Sequence, residues 1–386
     1  MNRSFDSYAY EASSYGDLLR EVEEMEDHSE WISGVRSNLL SVEALEGPVF
    51  ALQTADRYGL DTELAIETSE EGTKLLLKYE SSAYPVRDTA WPGLCETAKL
   101  YGAALGRMPV YLEAETLSNG LSVARGKSLL LMRYGKVSAL HSDAEGGYSI
   151  MPVSSLLRIS EEILGERFGR LSFAQGSNSH GCSSCTWELP DMQDRLTEAY
   201  QTAVKNAVSR NFTANIMPAV RFSSSDTANA CAALTPMFCE SGSTTYFRFA
   251  DGAKVKHTKR GCENPGTERF REEAGKIYAA FDSSMETVRK MAERPVFHGE
   301  NAVILLCRKL QIPKKYGEAA RQKAAGYASG GRAISALDLY LCMTEVLPEA
   351  EAADAGLKVL TNLEEAVAKV LKTDWKEVDV GGTAAW

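Results

Sequence analysis

Long apolar runs are missing from this 386-residue sequence, and so is a basic, apolar N-terminal segment. A transmembrane helix needs about 18 or more consecutive apolar residues, and no stretch approaches that length. The first 30 residues are acidic, whereas a secretory signal starts with a basic stretch and continues with an apolar one. We therefore expect a cytoplasmic protein with no membrane partner.

Internal repeats, low-complexity tracts and paired metal-ligand motifs are also lacking. Charged residues make up 25% of the chain and hydrophobic residues 44%, which is close to globular averages and excludes disordered, collagen-like and coiled-coil classes. The length exceeds one typical domain of ~100–200 residues, so we expect two domains or one core with appendages. The eight cysteines are scattered along the chain, which favours reduced thiols.

Three short motifs suggest chemistry, and each has a structural alternative. Segment 120–128 resembles a phosphate-binding loop, but five residues separate its glycines instead of four, and a strand-like run follows where a helix is required. Segment 180–185, HGCSSC, could supply zinc ligands or a redox dithiol, but no further ligand has matching spacing and a hairpin loop explains it. Serines 223–225 with Asp226 and His257 lack a nucleophile elbow, and a helix cap explains them equally well. We assign no catalytic residue, metal or cofactor, and an enzyme is the less favoured class.

Charge is distributed unevenly along the chain. Residues 1–150 carry 13 Lys and Arg against 24 Asp and Glu, and residues 151–204 carry 4 against 7. Residues 205–333 are basic, with 21 Lys and Arg against 12 Asp and Glu. Residues 334–386 are acidic again, with 4 Lys and Arg against 10 Asp and Glu. Two interpretations of the basic block stay open: solvated basic helix faces, or a phosphate-facing surface that the acidic segments shield when it is empty.

Apolar periodicity predicts an α+β fold. Its core consists of β-hairpins and helices with mostly antiparallel strands, and a helical C-terminal part follows. The expected divisions are an acidic N-terminal leader with one helix (residues 1–45), an α+β core (residues 46–265) and a helical C-terminal region (residues 266–386).

Local patterns predict individual elements of the core. Strands are expected over residues 49–53 and 62–67, and a hairpin is expected to reverse at Tyr134-Gly135. A helix of small residues is expected after Asp226, and a further hairpin over residues 244–259.

A basic run beside an aromatic strand is the main candidate site. Alternation in a two-stranded ribbon would set Lys254 and Lys256 on one face. Proteins that bind single strands combine a cationic groove with aromatic side chains on which bases stack. We therefore assign phosphate contacts or stacking to ten residues: Lys254, Lys256, Lys259, Arg260, Arg248 and Tyr246 at the ribbon, and Arg308, Lys309, Lys314 and Lys315 at a helix break. The alternative is that the ribbon aromatics are core and the lysines protect an edge strand.

Several segments, taken in order, resemble a known family. They are KVSALHSD followed by YSIMP, TWELP before a helix, AVRFSSSDTANA, KVKHTKRG and SALDLYLCMTEVL, within a region from about Lys74 to Leu347. Their order and spacing resemble the phage/plasmid-like proteins known as domain of unknown function 932, whereas the acidic leader and HGCSSC depart from that pattern. The resemblance implies an origin on a phage, prophage or plasmid and an intracellular bacterial setting, and it brings no catalytic residues.

Two functional hypotheses follow. The first is a non-catalytic protein of annealing type, oligomeric, that binds single-stranded DNA or RNA during replication or recombination of its mobile element. The second is a protein-interaction or counter-defence module that binds a host protein through its acidic segments.

Overall fold

A computed structural model of the chain describes residues 2–102, 104–212, 215–240, 245–259, 266–353, 355 and 357–386. Antiparallel sheets and helices are mixed up to the middle of the chain, and helices dominate from Gly266 onward. The predicted α+β class with a helical C-terminal part is therefore confirmed. The main hydrophobic core contains side chains from both the largest sheet and the C-terminal helices.

The strands form three larger sheets and one two-stranded sheet within the described residues. In chain order they are β1 (Ala9–Ala12), β2 (Ser29–Arg36), β3 (Ser41–Ala44), β4 (Leu75–Tyr79), β5 (Ser82–Pro85), β6 (Lys127–Arg133), β7 (Lys136–Ser142), β8 (Ser172–Ser179), β9 (Ser183–Glu188), β10 (Ile216–Ser224), β11 (Ala232–Glu240), β12 (Tyr246–Phe247), β13 (Ala253–Val255), β14 (Pro295–Val296) and β15 (Ile334–Ser335). The largest sheet has the order β1-β8-β9-β10-β11-β12, with β13 also paired to β11. The others are β2-β6-β7, β3-β4-β5 and β14-β15.

The α-helices cover the sheets and build the C-terminal part. In chain order they are α1 (Tyr15–Asp27), α2 (Pro48–Tyr58), α3 (Thr62–Glu70), α4 (Trp91–Ala98), α5 (Val110–Ser122), α6 (Val153–Phe168), α7 (Gln193–Ala203), α8 (Gly266–Ala274), α9 (Ile277–Ala292), α10 (Gly299–Lys309), α11 (Lys314–Tyr327), α12 (Ala336–Met343), α13 (Val346–Ala352), α14 (Leu357–Lys369) and α15 (Trp375–Val378).

The first 45 residues are built into the fold. Strand β1 pairs with β8 and strand β2 pairs with β6. Leu18 and Val22, on the predicted apolar face of α1, are buried in the main core. Ser14 begins this helix, because its hydroxyl accepts a hydrogen bond from the Asp17 backbone N–H. This segment is acidic in composition, but it is part of the same packed structure as the residues that follow.

Residues 49–53 and 62–67 are helical, which corrects the two strands expected there. They lie in α2 and α3. Pro48 suits the first turn of α2, because that turn leaves its backbone N–H groups unpaired. The Asp61 carboxylate accepts a 3.0 Å hydrogen bond from the Leu64 N–H and so caps α3. Both start signals were present in the sequence and outweigh the short alternating patterns.

The stretch after Asp226 forms strand β11, not the expected helix. All but its last residue are buried, because neighbouring strands and helices cover both of its faces, and such a strand has no period-2 pattern in its sequence. The hairpin expected over residues 244–259 is also corrected, since β12 and β13 pair with β11 and not with each other. The hairpin at Tyr134-Gly135 is confirmed, and both residues have the positive φ that a tight reversal requires.

Candidate nucleic-acid interface

A cleft of about 500 Å³ opens where the segment after β12, strand β13, helix α8 and helix α14 meet. Its charged lining consists of four cations and three carboxylates: Arg248, Lys254, Lys369 and Lys372, with Asp251, Glu273 and Glu365. The cleft therefore brings two sequence-predicted residues, Arg248 and Lys254, together with residues of the C-terminal segment.

Arg248 is held at the cleft by the aromatic residues on either side of it. Phe247 and Phe249 are both buried in the main core. The Arg248 carbonyl accepts a 2.6 Å hydrogen bond from the Tyr340 hydroxyl, which fixes the backbone at this point. The sequence alternative, that the ribbon aromatics are core, is thus correct for the two phenylalanines.

The Arg248 side chain is only 8% exposed, yet the residue lines the cleft. Its Nη2 donates a 3.0 Å hydrogen bond to Glu365 Oε2, and its Nε has no hydrogen-bond partner among the described residues. A buried charged donor without a partner costs free energy unless an acceptor satisfies it. The guanidinium therefore has one donor that the described residues leave unsatisfied.

Glu365 is the carboxylate placed between the cations of the cleft. It is half-exposed, and its Oε1 lies 3.9 Å from Lys254 Nζ while its Oε2 accepts from Arg248. Burial acts to raise the pKa of Glu365, but the charge and hydrogen bond of Arg248 and the charge of Lys254 outweigh it, so the pKa is lowered. Glu365 is thus an anion at neutral pH.

The segment between β12 and β13 approaches the sheet closely. A Cβ atom at Gly252 would lie 1.9 Å from the Leu234 carbonyl oxygen, so a side chain there would force the backbone apart. The neighbouring Asp251 accepts a 2.6 Å hydrogen bond from Lys372 Nζ. Glycine at this point brings β13 and its lysine to the edge of the cleft.

Tyr246 does not form a stacking platform, which corrects its expected role. The residue is 8% exposed and packs with Met237 and Cys239 in a small apolar cluster. Its hydroxyl donates a 2.8 Å hydrogen bond to Glu188 Oε1. Because the pairing of β12 with β11 places the ring against the sheet, no base has access to its face. Arg248 is also nearly buried, so little of its side chain is exposed for a base to stack on.

The lysines of the predicted ribbon have different surroundings. Lys254 and Lys256 are both exposed, as alternation predicts for one face. Lys259 is also exposed, but its Nζ lies 3.2 Å from Asp143 Oδ1, a carboxylate from the acidic N-terminal part. Arg260 lies outside the described residues.

The second predicted group lies where α10 ends and α11 begins. All four cations are exposed: Arg308, Lys309, Lys314 and Lys315. Lys309 Nζ lies 2.7 Å from Glu377 Oε2, and Lys314 Nζ lies 5.8 Å from the centre of the Trp386 ring. The end of the chain therefore packs against this group.

Sequence reasoning missed Lys369 and Lys372. Both belong to residues 334–386, whose net acidic charge directed attention away from their lysines. The available signal was their spacing, because residues three apart near the end of an amphipathic helix share one side of it. That spacing places both lysines at the cleft with Arg248 and Lys254.

Ser224 and His257 do come together, as one alternative considered from the sequence requires. Ser224 Oγ lies 3.2 Å from His257 Nε2, and His257 Nδ1 lies 3.1 Å from the Tyr148 hydroxyl. Burial lowers the pKa of His257 to about 4, so the imidazole is neutral. Asp226 pairs with Arg133 and not with the histidine. Because Ser224 is completely buried, this arrangement acts as a polar network of the core.

The other motifs have structural explanations as well. Segment 120–128 runs from the end of α5 into β6, the opposite of the strand-to-helix order in a phosphate-binding loop. HGCSSC contains the reversal between β8 and β9, and the seven cysteines that the structure describes are free thiols.

Within the described ranges, no three His, Cys, Asp or Glu side chains come together as metal ligands. Every helix in the same ranges is too short or too polar to cross a membrane.

The chain matches no protein-family model, no curated protein and no solved structure. The resemblance to the phage/plasmid-like proteins stays a prediction. Inference about function therefore depends on the cleft and the surrounding charges.

Proposed function

We propose that this chain binds the phosphate backbone of single-stranded DNA or RNA in the cleft beside β13 and α14, without catalysing a reaction. The nearly buried guanidinium of Arg248 carries the proposal, because it lines the cleft with one donor unpaired. Lys254, Lys369 and Lys372 add positive charge around it. Phosphate oxygens are acceptors that can satisfy such a donor while the lysines release counterions.

The size of the cleft favours a single strand over a duplex. A volume of about 500 Å³ lies in the range of pockets that hold a drug-sized ligand, which corresponds to one or two nucleotides. Since Tyr246 is covered, the proposed mode relies on phosphate contacts and not on stacking at this site. In the bacterial mobile-element setting that the resemblance implies, such binding would serve replication or recombination, with strand annealing by an oligomer as its specific form.

Binding of a fluorescent single-stranded oligonucleotide across a salt series tests the proposal, with duplex DNA as the comparison. Lys254→Glu combined with Lys372→Glu should weaken binding and flatten the plot of log K against log salt by roughly 0.7 for each phosphate that the variant no longer neutralises. Lys290→Glu, on the exposed side of α9, and Lys205→Glu, at an exposed position after α7, combine into a control with the same change in net charge.

The proposal fails if the full-length protein does not bind single strands at low salt. It also fails if the cleft variant and the control variant lose affinity equally, because the effect would then reflect net charge alone.

One observation favours a second candidate function, an interaction with a host protein. Helix α2 buries only small side chains, such as Ala51 and Ala55, and leaves Val49, Phe50 and Leu52 exposed to solvent. Two acidic residues, Glu46 and Asp56, and one basic residue, Arg57, are exposed beside this face. An apolar patch whose rim carries a net negative charge suits a partner segment that combines apolar side chains with Lys or Arg.

Substitution of the patch tests this second function. Capture of a purified host partner should be lost in a Val49→Ser, Phe50→Ser variant and weakened by salt. Val123→Ser, at an equally exposed apolar position after α5, should leave capture unchanged. Equal capture by all three proteins would exclude α2 as the interface.

A further inference from the structure

Among the described residues, five ion pairs set a carboxylate of the acidic C-terminal segment against a Lys or Arg of the basic block that precedes it. The pairs are Arg221 with Glu364, Arg248 with Glu365, Lys254 with Glu365, Lys309 with Glu377, and Lys323 with Glu345. Three of them involve the two adjacent carboxylates of α14. The opposite charges that the sequence separates into two blocks are therefore brought into contact by the fold.

Glu365 of α14 occupies a position that a phosphate bound in the cleft would need. Glu365 contacts both Arg248 and Lys254, the two sequence-predicted cations of the cleft. Glu364 Oε2 lies 2.5 Å from Nη1 of Arg221, a residue of the neighbouring strand β10. A carboxylate offers a guanidinium the same kind of charged acceptor that a phosphate offers. A phosphate can therefore reach the donor atoms that face these carboxylates, such as Arg248 Nη2, only where a carboxylate gives way.

The helix that carries the carboxylates is itself firmly packed. Leu363, Val367 and Val370 are buried in the main core, so removal of α14 as a unit would expose a large apolar surface. Glu365, in contrast, has about half of its side chain in solvent. The exposed Lys254–Glu365 pair contributes little to stability, and a phosphate that takes the place of Glu365 keeps the nearly buried Arg248 paired. The Glu365 side chain can therefore rotate away while the helix stays in place.

We propose that Glu364 and Glu365 act as an internal competitor of the nucleic acid: until a phosphate backbone displaces the two side chains, Glu365 occupies two cations of the cleft and Glu364 occupies Arg221 of β10. The inference rests on the proposed function, since it concerns the regulation of the same site. It assigns the inhibitory role to the C-terminal helix and not to the first 30 residues, whose α1 is part of the core. A bound nucleic-acid strand and the Glu365 carboxylate then exclude one another at Arg248 and Lys254.

The test compares single-strand affinity of the full chain with that of a Glu364→Gln, Glu365→Gln variant. Glutamine keeps the shape of each side chain and can still accept a hydrogen bond from arginine, so we expect unchanged thermal unfolding. Removing the two competing charges should tighten binding roughly threefold to tenfold, as expected for the loss of partly exposed ion pairs. A Glu349→Gln, Glu351→Gln variant, exposed on α13, carries the same change in net charge and should bind like the wild type.

A second background shows whether the effect passes through the cleft. In an Arg248→Met protein, the glutamine substitutions should lose most of their benefit, because the main cation that they release is gone. If the wild type binds and the α14 substitutions do not change its affinity, the competitor role is overturned and the proposed function is not. An equal gain in the α13 control also overturns the competitor role. If neither the wild type nor the α14 variant binds at low salt, the proposed function fails, and the inference with it.

Discussion

Asp6 and Lys136 are 130 residues apart in the chain, and Asp6 Oδ1 lies 2.8 Å from Lys136 Nζ. The lysine is completely buried, and so is Arg87, whose Nη1 lies 3.0 Å from the same carboxylate oxygen. Glu67 completes the charge balance by pairing with Lys136. Two buried cations are thus neutralised by two carboxylates, one of which comes from the extreme N-terminal segment.

Removing the Asp6 charge should destabilise the fold strongly. An Asp6→Asn substitution leaves two buried cations with one carboxylate, and breaking a buried pair in this way costs about 3–5 kcal/mol. Glu23→Gln removes an exposed pair with Arg158 in the same N-terminal segment and should change the free energy of unfolding by about 1 kcal/mol or less. Urea unfolding of both variants measures the difference. Similar losses in the two would show that the Asp6 site is effectively solvated.

Acidification should destabilise the protein before its carboxylates titrate. Burial lowers the pKa of His257 from its ordinary value of 6.5 to about 4, and burial together with Arg87 and Arg133 lowers that of His180 to about 2. Below pH 6.5 the unfolded chain binds protons that the folded chain does not bind. Stability is therefore highest above pH 6.5 and falls by roughly 2 kcal/mol per histidine between pH 7 and pH 5.

Urea unfolding at pH 5, 6 and 7 checks this dependence on pH. His257→Asn and His180→Asn variants should each lose part of the slope, because each removes one proton-binding group of the unfolded chain. A wild-type stability that is flat over this range would contradict the neutral, buried state of both imidazoles.

Two glycine substitutions should have effects of opposite sign. A Cβ at Gly93 of α4 would lie 2.1 Å from the Leu140 carbonyl oxygen of β7, so Gly93→Ala should force helix and sheet apart and cost about 1–3 kcal/mol. Gly165 of α6 has open space around it, so Gly165→Ala should add about 0.5–1 kcal/mol of stability. Thermal unfolding of the two variants provides the comparison, and a tolerated Gly93→Ala would argue against close packing of α4 on β7.

Tyr246→Phe separates a structural role from a stacking role. Loss of the hydrogen bond to Glu188 should lower the free energy of unfolding by about 0.5–1.5 kcal/mol. Oligonucleotide affinity should not change, because the ring is covered by its own sheet. Tyr246→Leu, which removes the aromatic face, should also leave affinity unchanged in any protein that remains folded. A loss of affinity specific to the leucine variant would return Tyr246 to the binding site.

Elements whose signals are local could be predicted. The hairpin at Tyr134-Gly135 is encoded by alternating strands around a turn, and α1 by apolar residues at helical spacing. The helices α2 and α3 could have been predicted from Pro48 and Asp61, but short alternating runs competed with these start signals. Strand β11 could not be predicted, because the sequence of a strand that is buried on both faces does not alternate between apolar and polar residues.

The candidate site was predictable only in part. Lys254 and Arg248 were found from the basic run beside aromatic residues, and both line the cleft. Lys369 and Lys372 lie more than 100 residues further along the chain, in a segment of opposite net charge. The orientation of Tyr246 depends on the pairing of β12 with β11, and no local sequence pattern indicates that pairing.

The sequence by itself determined the α+β class, the amphipathic C-terminal helices and the alternation of acidic and basic blocks, because each depends on residues close together in the chain. Only the tertiary structure decided that Glu365 lies on Arg248, 117 residues away, and that Asp6 neutralises Lys136. Such partners are selected by the packing of the whole core, which fixes which distant segments share a surface. The charge pattern therefore predicted a basic block with acidic flanks, while the fold decided that carboxylates of α14 contact cations of that block.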